Sequence, residues 1–197
     1  MRVAVIGVQG DVEEHVIAVK KTLKKLGIDG EVVATRRAGV VSESDAVIIP
    51  GGESTTISKL IFSDGIADEI IELAESGKPV MGTCAGLILL SKYGDEQVIK
   101  TDTRLLGLLN VRVKRNAFGR QRESFQVELD VKHIGRFDAV FIRAPAIVEV
   151  GKNVEVLARF EEYVVAAQEN NILGLAFHPE LTDDTRIHEY FLRLNEF

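Results

Sequence analysis

The sequence is poor in cysteine: Cys84 is the only one among 197 residues. A single cysteine forms no disulfide within the chain, which is typical of proteins from reducing compartments and leaves the thiol available for chemistry. No apolar run approaches the length that crosses a membrane, and residues 1–7 are typical of a strand rather than a signal peptide. We therefore expect a cytoplasmic protein.

Positive charge is also scarce, with 24 Lys and Arg against 30 Asp and Glu, so the net charge is -6. The basic residues are dispersed along the chain and form no cluster of the kind that binds a nucleic-acid duplex. The apolar fraction of 46% is that of a globular protein, and the length suits one domain over residues 1–197. We expect neither a nucleic-acid nor a membrane partner.

The first half of the chain alternates strand and helix patterns. Short apolar runs predict strands at residues 2–8, 32–34, 45–50 and 80–83, and helices are predicted at 11–27, where Asp11 and Glu14 form a capping pair, and at 66–76. Buried strands separated by helices indicate a mainly parallel sheet that helices cover on both faces. Functional loops of such sheets lie at the carboxyl ends of the strands.

The second half of the chain lacks this alternation, because strand patterns follow one another without long helices between them. They cover residues 111–113, 125–129, 139–142, 154–158, 164–167 and 172–177, and a last helix is predicted at about 183–194 with Thr182 as its cap. The sequence therefore predicts an α/β fold, a flavodoxin-like three-layer α/β/α sandwich with antiparallel additions in the second half.

Cys84 follows the strand 80–83 within Gly82-Thr83-Cys84-Ala85-Gly86, and a helix pattern follows it. A sharp strand-to-helix turn lifts a nucleophile above a sheet, and flanking glycines allow the close backbone approach that this turn needs. The start of a helix favours negative charge, and the thiolate is the form of cysteine that attacks carbon. Cys84 is therefore the candidate nucleophile.

His178-Pro179-Glu180 ends the last predicted strand. In an extended chain, residues two apart point to the same side, and Pro179 restricts the backbone around them. Glu180 would then orient the imidazole of His178, and His178 would transfer protons to and from the thiol and the leaving amine. Cys84, His178 and Glu180 form the predicted catalytic set.

A glycine-rich loop, Pro50-Gly51-Gly52-Glu53-Ser54-Thr55-Thr56, follows the third predicted strand. Acyl transfer needs two donors where the oxyanion forms, and the amides of Gly52 and Ala85 are the predicted pair. The loop lacks the Gly-Lys-Ser/Thr ending of a nucleotide-binding P-loop. The remaining histidines have no zinc-like spacing, so we predict no metal site.

Together these segments resemble the class I glutamine amidotransferases. The resemblance is greatest to the glutaminase subunits that serve pyridoxal 5'-phosphate synthases, and six segments that span nearly the whole chain carry it. These are Gly7-Val8-Gln9-Gly10-Asp11, Pro50 to Thr55, Gly82 to Leu87, Arg115-Asn116-Ala117-Phe118-Gly119-Arg120-Gln121, Phe141-Ile142-Arg143-Ala144-Pro145 and Phe177 to Leu181. Residues 92–104 match no such segment, and we expect a surface loop there.

The resemblance implies that the substrate is L-glutamine and that ammonia passes to a barrel-shaped synthase subunit within a large hetero-oligomer. Pyridoxal 5'-phosphate would be a product of that complex and not a cofactor of this chain. The implied glutamine-binding positions are Gly52, Glu53, Ser54, Arg115, Ile142 and Arg143. Either Arg115 or Arg143 could present a fork of donors to the substrate carboxylate.

Three other functions are compatible with these residues. The same triad would serve the glutaminase of another amidotransferase, such as imidazole glycerol phosphate synthase, or a flavodoxin-like cysteine hydrolase or peptidase. A small-ligand binding module with an unreactive thiol is the alternative that involves no catalysis. Gln9-Gly10-Asp11 would border the active site or a partner, unless Asp11 serves solely as a helix cap.

Overall fold

A computed structural model describes residues 1–119 and 122–194. Arg120 and Gln121 of the segment from Arg115 to Gln121 lie outside the described residues. The first half contains β1 (Arg2–Ile6), α1 (Val12–Leu26), β2 (Glu31–Thr35), β3 (Ala46–Ile49), α2 (Ser54–Ser63), α3 (Ile66–Glu75), β4 (Val80–Thr83) and α4 (Ala85–Leu90). The second half contains β5 (Ser91–Tyr93), α5 (Glu96–Lys100), β6 (Leu109–Lys114), β7 (Ser124–Val131), β8 (Gly135–Ile142), β9 (Ala146–Val150), β10 (Glu155–Phe160), β11 (Tyr163–Glu169), β12 (Ile172–Leu175), a 3₁₀ turn (Pro179–Leu181) and α6 (Arg186–Leu192).

The main sheet has the strand order β2-β1-β3-β4-β12-β11-β9-β6-β5, and β10 pairs with β11. Strands from β2 to β12 are parallel to one another, whereas β11 is antiparallel to β12 and to β9, and β9 is antiparallel to β6. The predicted α/β class, with a largely parallel sheet and antiparallel additions, is confirmed. No helix within the described ranges is both long and apolar enough to cross a bilayer.

The parallel strands are apolar throughout because both of their faces are covered. Every residue of β3, β4 and β12 is buried, as expected for strands between two layers of helices. β4 and β12 are neighbours, and Leu175 pairs with Thr83 at their carboxyl ends. The residues that follow these two strands, Cys84 and Ala176, therefore begin at the same edge of the sheet.

Strands β7 and β8 form a separate two-stranded sheet. Within it, Phe125 of β7 stacks on Phe141 of β8 with ring centroids 4.7 Å apart. Phe118 and Phe177, whose ring centroids lie 5.6 and 5.7 Å from that of Phe141, fix this sheet to the rest of the protein. Such aromatic contacts add to the free energy of burial. They hold the end of β8 against the carboxyl edge of the main sheet.

Two predictions about elements are wrong. Residues 92–104 are not simply a surface loop, because they contain the end of β5 and all of α5, whose N-terminus is capped by Asp95 and whose Val98 is buried. The residue at the N-cap position of the last helix is Thr185 and not Thr182, and the Thr185 side chain makes no capping hydrogen bond. Thr182 instead donates to the Pro179 carbonyl and belongs to the 3₁₀ turn, so the helix begins later.

Candidate active site

The turn at Cys84 has the strained backbone of a nucleophile elbow. Cys84 has φ 51° and ψ -104°, in the left-handed half of conformational space that side chains other than glycine rarely adopt. A Cβ atom at Gly86 would lie 2.1 Å from the Ile49 carbonyl oxygen, so only glycine allows α4 to pass this close to β3. The Cys84 thiol lies 3.7 Å from the carbonyl oxygen of Ile142 at the end of β8.

His178 and Glu180 are in direct contact. His178 Nδ1 lies 2.7 Å from Glu180 Oε1, and the His178 amide donates to the Val140 carbonyl of β8 at 2.8 Å. The extended chain predicted for these residues is wrong, because Pro179 begins a 3₁₀ turn. The tight turn brings the Glu180 carboxylate to the Nδ1 edge of the ring, so the two side chains meet although the chain is not extended.

Asp11 does not cap α1 with its side chain, contrary to the predicted capping pair. Its Oδ2 atom lies 3.3 Å from His178 Nδ1, so a second carboxylate approaches the same ring nitrogen as Glu180. A charged ring in this position attracts the carboxylate more strongly than the neutral amides of the helix start do. The loop between β1 and α1 therefore contributes directly to the histidine environment.

These contacts favour a charged imidazole. Burial lowers the pKa of His178, but the interactions with Asp11, Cys84 and Glu180 outweigh it and raise the pKa to about 12. The hydrogen bond with His178 lowers the pKa of Asp11. Burial raises the pKa of Glu180, against the opposing effect of His178. Among the described residues, His178 Nε2 has no hydrogen-bond partner of standard geometry, which leaves it available for proton transfer.

Cys84 and His178 share a cleft of about 470 Å³. Ala85, Gln9 and Asp11 also line it, whereas Glu180 lies behind His178. All six positions predicted to bind the substrate line the same cleft: Gly52, Glu53, Ser54, Arg115, Ile142 and Arg143. The structure therefore brings the predicted substrate-binding positions together beside the cysteine.

Glu53 holds the glycine-rich loop in place. Its carboxylate caps α2 by accepting from Thr55 N at 3.1 Å and Thr56 N at 2.8 Å. Partial burial raises its pKa, but hydrogen bonds from Thr56 and Thr55 outweigh this effect and lower the pKa to about 2. Its own amide donates to Gln9 Oε1 at 2.8 Å, which ties this loop to the one after β1.

The two arginines differ in how firmly they are held. The Arg115 side chain is 17% exposed and its Nη2 lies 3.3 Å from Glu53 Oε1, whereas the Arg143 side chain is 72% exposed. Arg115 N also donates to Asp95 Oδ2 at 2.8 Å. Asp95 was missed by the sequence analysis, although an aspartate before a short helical pattern is a recognised cap signal.

Asp11, His178 and Glu180 are the one group in the described ranges whose donor atoms lie close enough together, within 4.8 Å, to hold a metal ion. Each donor already has a partner in the group, because His178 Nδ1 contacts both carboxylates directly. The distances are those of hydrogen bonds between the side chains. The arrangement suits proton transfer better than ion binding.

An α/β sheet that brings a strained cysteine, a histidine and a carboxylate to one edge defines a class, the cysteine-dependent hydrolases and amidotransferases with a nucleophile elbow. Residues 5–196 match the model of the SNO glutamine amidotransferase family. The chain belongs to this family, and the resemblance seen in the sequence is confirmed.

Two relatives share the name pyridoxal 5'-phosphate synthase subunit PdxT. The protein from Archaeoglobus fulgidus is 82% identical over 196 residues, covering 100% of this chain and 99% of the relative. The protein from Methanosarcina mazei is 54% identical over 193 residues, covering 98% of this chain and 97% of the relative. A crystal structure titled as a glutamine amidotransferase has 44% identity and a TM-score of 0.88, and the match covers 99% of each chain.

Proposed function

We propose that this chain is the glutaminase subunit of a pyridoxal 5'-phosphate synthase: it hydrolyses L-glutamine to glutamate and ammonia and supplies the ammonia to the synthase subunit. The observation that carries the proposal is the cleft in which Cys84 and the His178–Glu180 pair adjoin the arginine-lined pocket. Membership of the family and the 82% identity to a named synthase subunit support it.

The chemistry begins with the thiolate of Cys84, which attacks the side-chain amide carbon of glutamine. The charged His178 donates its Nε2 proton to the departing nitrogen, so ammonia leaves and a γ-glutamyl thioester remains. Water then attacks the thioester, His178 accepts its proton, and glutamate is released. Glu180 keeps the imidazole oriented and stabilises its charged form.

The amides of Gly52 and Ala85 stabilise the oxyanion of both tetrahedral intermediates. Both residues line the cleft beside Cys84, and Ala85 begins α4, where amide groups have no partner within the helix. The tie between Glu53 N and Gln9 Oε1 fixes the peptide that follows Gly52. The loop after β1 thus influences where the oxyanion donors lie.

Arg115 binds the α-carboxylate of glutamine, because its guanidinium is anchored by Glu53 and Thr101 and is mostly shielded from water. Ser54 Oγ, buried without a partner among the described residues, supplies a polar contact in the same pocket. Glu53 and Ile142 complete the pocket, and Arg143, which is mostly exposed, covers its mouth.

The partner is a barrel-shaped synthase subunit, which combines ammonia with sugar phosphates within a large hetero-oligomer in the cytoplasm. Free ammonia is protonated and lost in water, so direct transfer between subunits preserves it. Pyridoxal 5'-phosphate is a product of this complex, and this chain needs no cofactor. The isolated chain is a weak glutaminase that its partner activates.

Ammonia release from glutamine, measured with and without the synthase subunit, tests the proposal. We expect turnover that rises with the partner and is abolished in Cys84→Ala. Because Cys84 is the only cysteine, a glutamine-like electrophile labels the native chain once and leaves Cys84→Ala unlabelled. Release that survives Cys84→Ala contradicts the mechanism, and cleavage of peptides in preference to glutamine favours the peptidase alternative.

A further inference from the structure

Two buried histidines lie behind the His178–Glu180 pair. His15 from the first turns of α1 and His188 from α6 are both 0% exposed, and their rings meet edge to face with centroids 5.6 Å apart. Neither residue has a function that the sequence pattern predicts. Their contacts lead directly to the carboxylate that holds the catalytic histidine.

His15 approaches the oxygen of Glu180 that His178 does not use. His15 Nε2 lies 3.3 Å from Glu180 Oε2 and 3.1 Å from Thr83 Oγ1 on β4. Among the described residues Glu180 Oε2 has no hydrogen bond of standard geometry, and His15 Nε2 is the ring nitrogen that approaches it within 4 Å. A buried carboxylate oxygen without a donor is costly, so the His15 ring is the group that compensates it.

The contacts select one tautomer. A lone pair on His15 Nε2 would face a carboxylate oxygen at 3.3 Å, whereas the Thr83 hydroxyl at 3.1 Å can either donate or accept, so we infer that the proton lies on Nε2 and leaves Nδ1 as an acceptor. With that tautomer, His188 Nε2, which lies 3.4 Å from His15 Nδ1, is the donor of the hydrogen bond between the two rings. In this series of contacts, His188 donates towards His15 and His15 donates towards Glu180, so both N–H groups point towards the active site.

Both rings stay neutral at physiological pH. Burial lowers the pKa of His15 well below its usual value, with smaller contributions from His188 and His178, and burial lowers the pKa of His188 to about 4. A neutral His15 donates to Glu180 without cancelling its charge, so Glu180 can still balance the charged His178. A charged His15 would compete with His178 for the same carboxylate.

We propose that His15, with its tautomer fixed by His188, is a positioning residue that holds the Glu180 carboxylate against His178. His15 does not line the glutamine cleft, so it acts through Glu180 and not on the substrate. The inference rests on the proposed glutaminase function. It adds α1 and α6 to the elements that determine the catalytic geometry.

The kinetic test uses His15→Leu and His15→Gln in the complex with the synthase subunit. Leucine removes the donor, whereas the glutamine amide can still donate to Glu180. We expect His15→Leu to lower kcat about tenfold to a hundredfold, the range for a lost hydrogen bond to a charged group, with KM nearly unchanged. His15→Gln should retain most of the kcat that His15→Leu loses.

The pH profile separates positioning from mere packing. The ionisable groups that face Glu180 and His15 are His178 at the end of β12, Asp11 before α1 and His188 on α6, with Cys84 beyond His178. Without the His15 donor, Glu180 is harder to ionise, so the acid limb of kcat/KM moves to higher pH. A packing defect would lower kcat without moving the acid limb, and His15→Gln would be as slow as His15→Leu. That result would overturn the proposal.

A spectroscopic test needs no variant of His15. The chain has four histidines, and ¹⁵N labelling of their rings reports each tautomer by NMR. We expect two neutral rings with the proton on Nε2, those of His15 and His188, and a charged His178. His133→Asn, at an exposed turn, identifies the fourth ring and serves as the kinetic control without effect. A proton on Nδ1 of His15 refutes the inference even where His15→Leu does not fold.

The two proposals fail in different ways. A native chain that releases no ammonia from glutamine in the presence of the synthase subunit refutes the proposed function, while the ring spectra still report on His15. A native chain that is active, with His15→Leu equally active, refutes the positioning role alone.

Discussion

Replacing Asp11 by asparagine measures what the second carboxylate contributes to His178. Opposite charges 3.3 Å apart, the distance between Asp11 Oδ2 and His178 Nδ1, attract by about 1 kcal/mol in water and about 5 kcal/mol at an effective dielectric constant of about 20. The Asp11 side chain is 38% exposed, so screening by solvent places the interaction near the lower limit, at about 1–2 kcal/mol. Asp11→Asn should therefore lower the pKa of His178 by about one unit.

The consequence for stability depends on pH in a defined way. His178 has a raised pKa in the folded chain, so its stabilisation is fully present below the unfolded value of 6.5 and is lost as the pH rises through about 12. Asp11 has a lowered pKa, so its share is present above 3.8 and is lost as the pH falls through its folded value. The loss in Asp11→Asn should therefore be nearly constant between about pH 5 and pH 9.

Urea denaturation at pH 5, 7 and 9 is the assay. We expect Asp11→Asn to lose about 1–2 kcal/mol of unfolding free energy at each pH. Asp183→Asn is the matched control, because it also removes one negative charge, but its side chain is fully exposed beside Lys21. Equal stability of Asp11→Asn and the native chain, or equal losses in the two variants, would refute the argument.

Other substitutions test the site and its support. Gly51→Ala should lower glutamine turnover about a hundredfold, because the new Cβ would lie 2.5 Å from His178 Cε1 and displace the ring. Glu53→Gln should lower the free energy of unfolding by about 0.5–1 kcal/mol, because it weakens the α2 cap at a site partly exposed to solvent. Since the pKa of the Glu53 carboxyl is lowered, this loss is present above pH 4.5 and fades as the pH falls towards about 2. Phe141→Leu should cost about 1–2 kcal/mol by loosening the packing of β8.

Ammonia release checks the first of these changes, and urea denaturation checks the other two. Full turnover in Gly51→Ala would contradict this prediction, because it would show that the loop at residue 51 moves aside without displacing the His178 ring. A loss in Glu53→Gln that persists unchanged at pH 2 would contradict the capping argument. Val148→Ala, on an exposed part of β9, is the packing control, and a loss in Phe141→Leu no larger than that of the control would contradict the role of the aromatic cluster.

The parallel half of the fold could be predicted because its strands are continuous apolar runs that end at recognisable turns. Position and residue type likewise identified Cys84, since an elbow has a local signature. β9 was missed, because Ala146–Val150 follows closely after β8 and its last three residues are exposed. Its pairing with β6 and β11 is a tertiary contact that local patterns do not encode.

Contacts between distant segments account for the errors at the site. Asp11 is at a good capping position, but His178, far away in the sequence, attracts its carboxylate. His15 and His188 are single polar residues within helices, and nothing in either helix indicates that they meet behind Glu180. Asp95 had a local signal as a helix cap, yet its second oxygen binds the Arg115 amide, which only the tertiary fold reveals.

The position of β12 between β4 and β11 has a consequence for how a newly made chain matures. Cys84 leaves the ribosome well before His178, and the central place in the sheet stays vacant until residues 172–175 have been synthesised. Until then the sulfur has no base beside it. The sulfur and the imidazole therefore come together only when the last strand has entered the sheet.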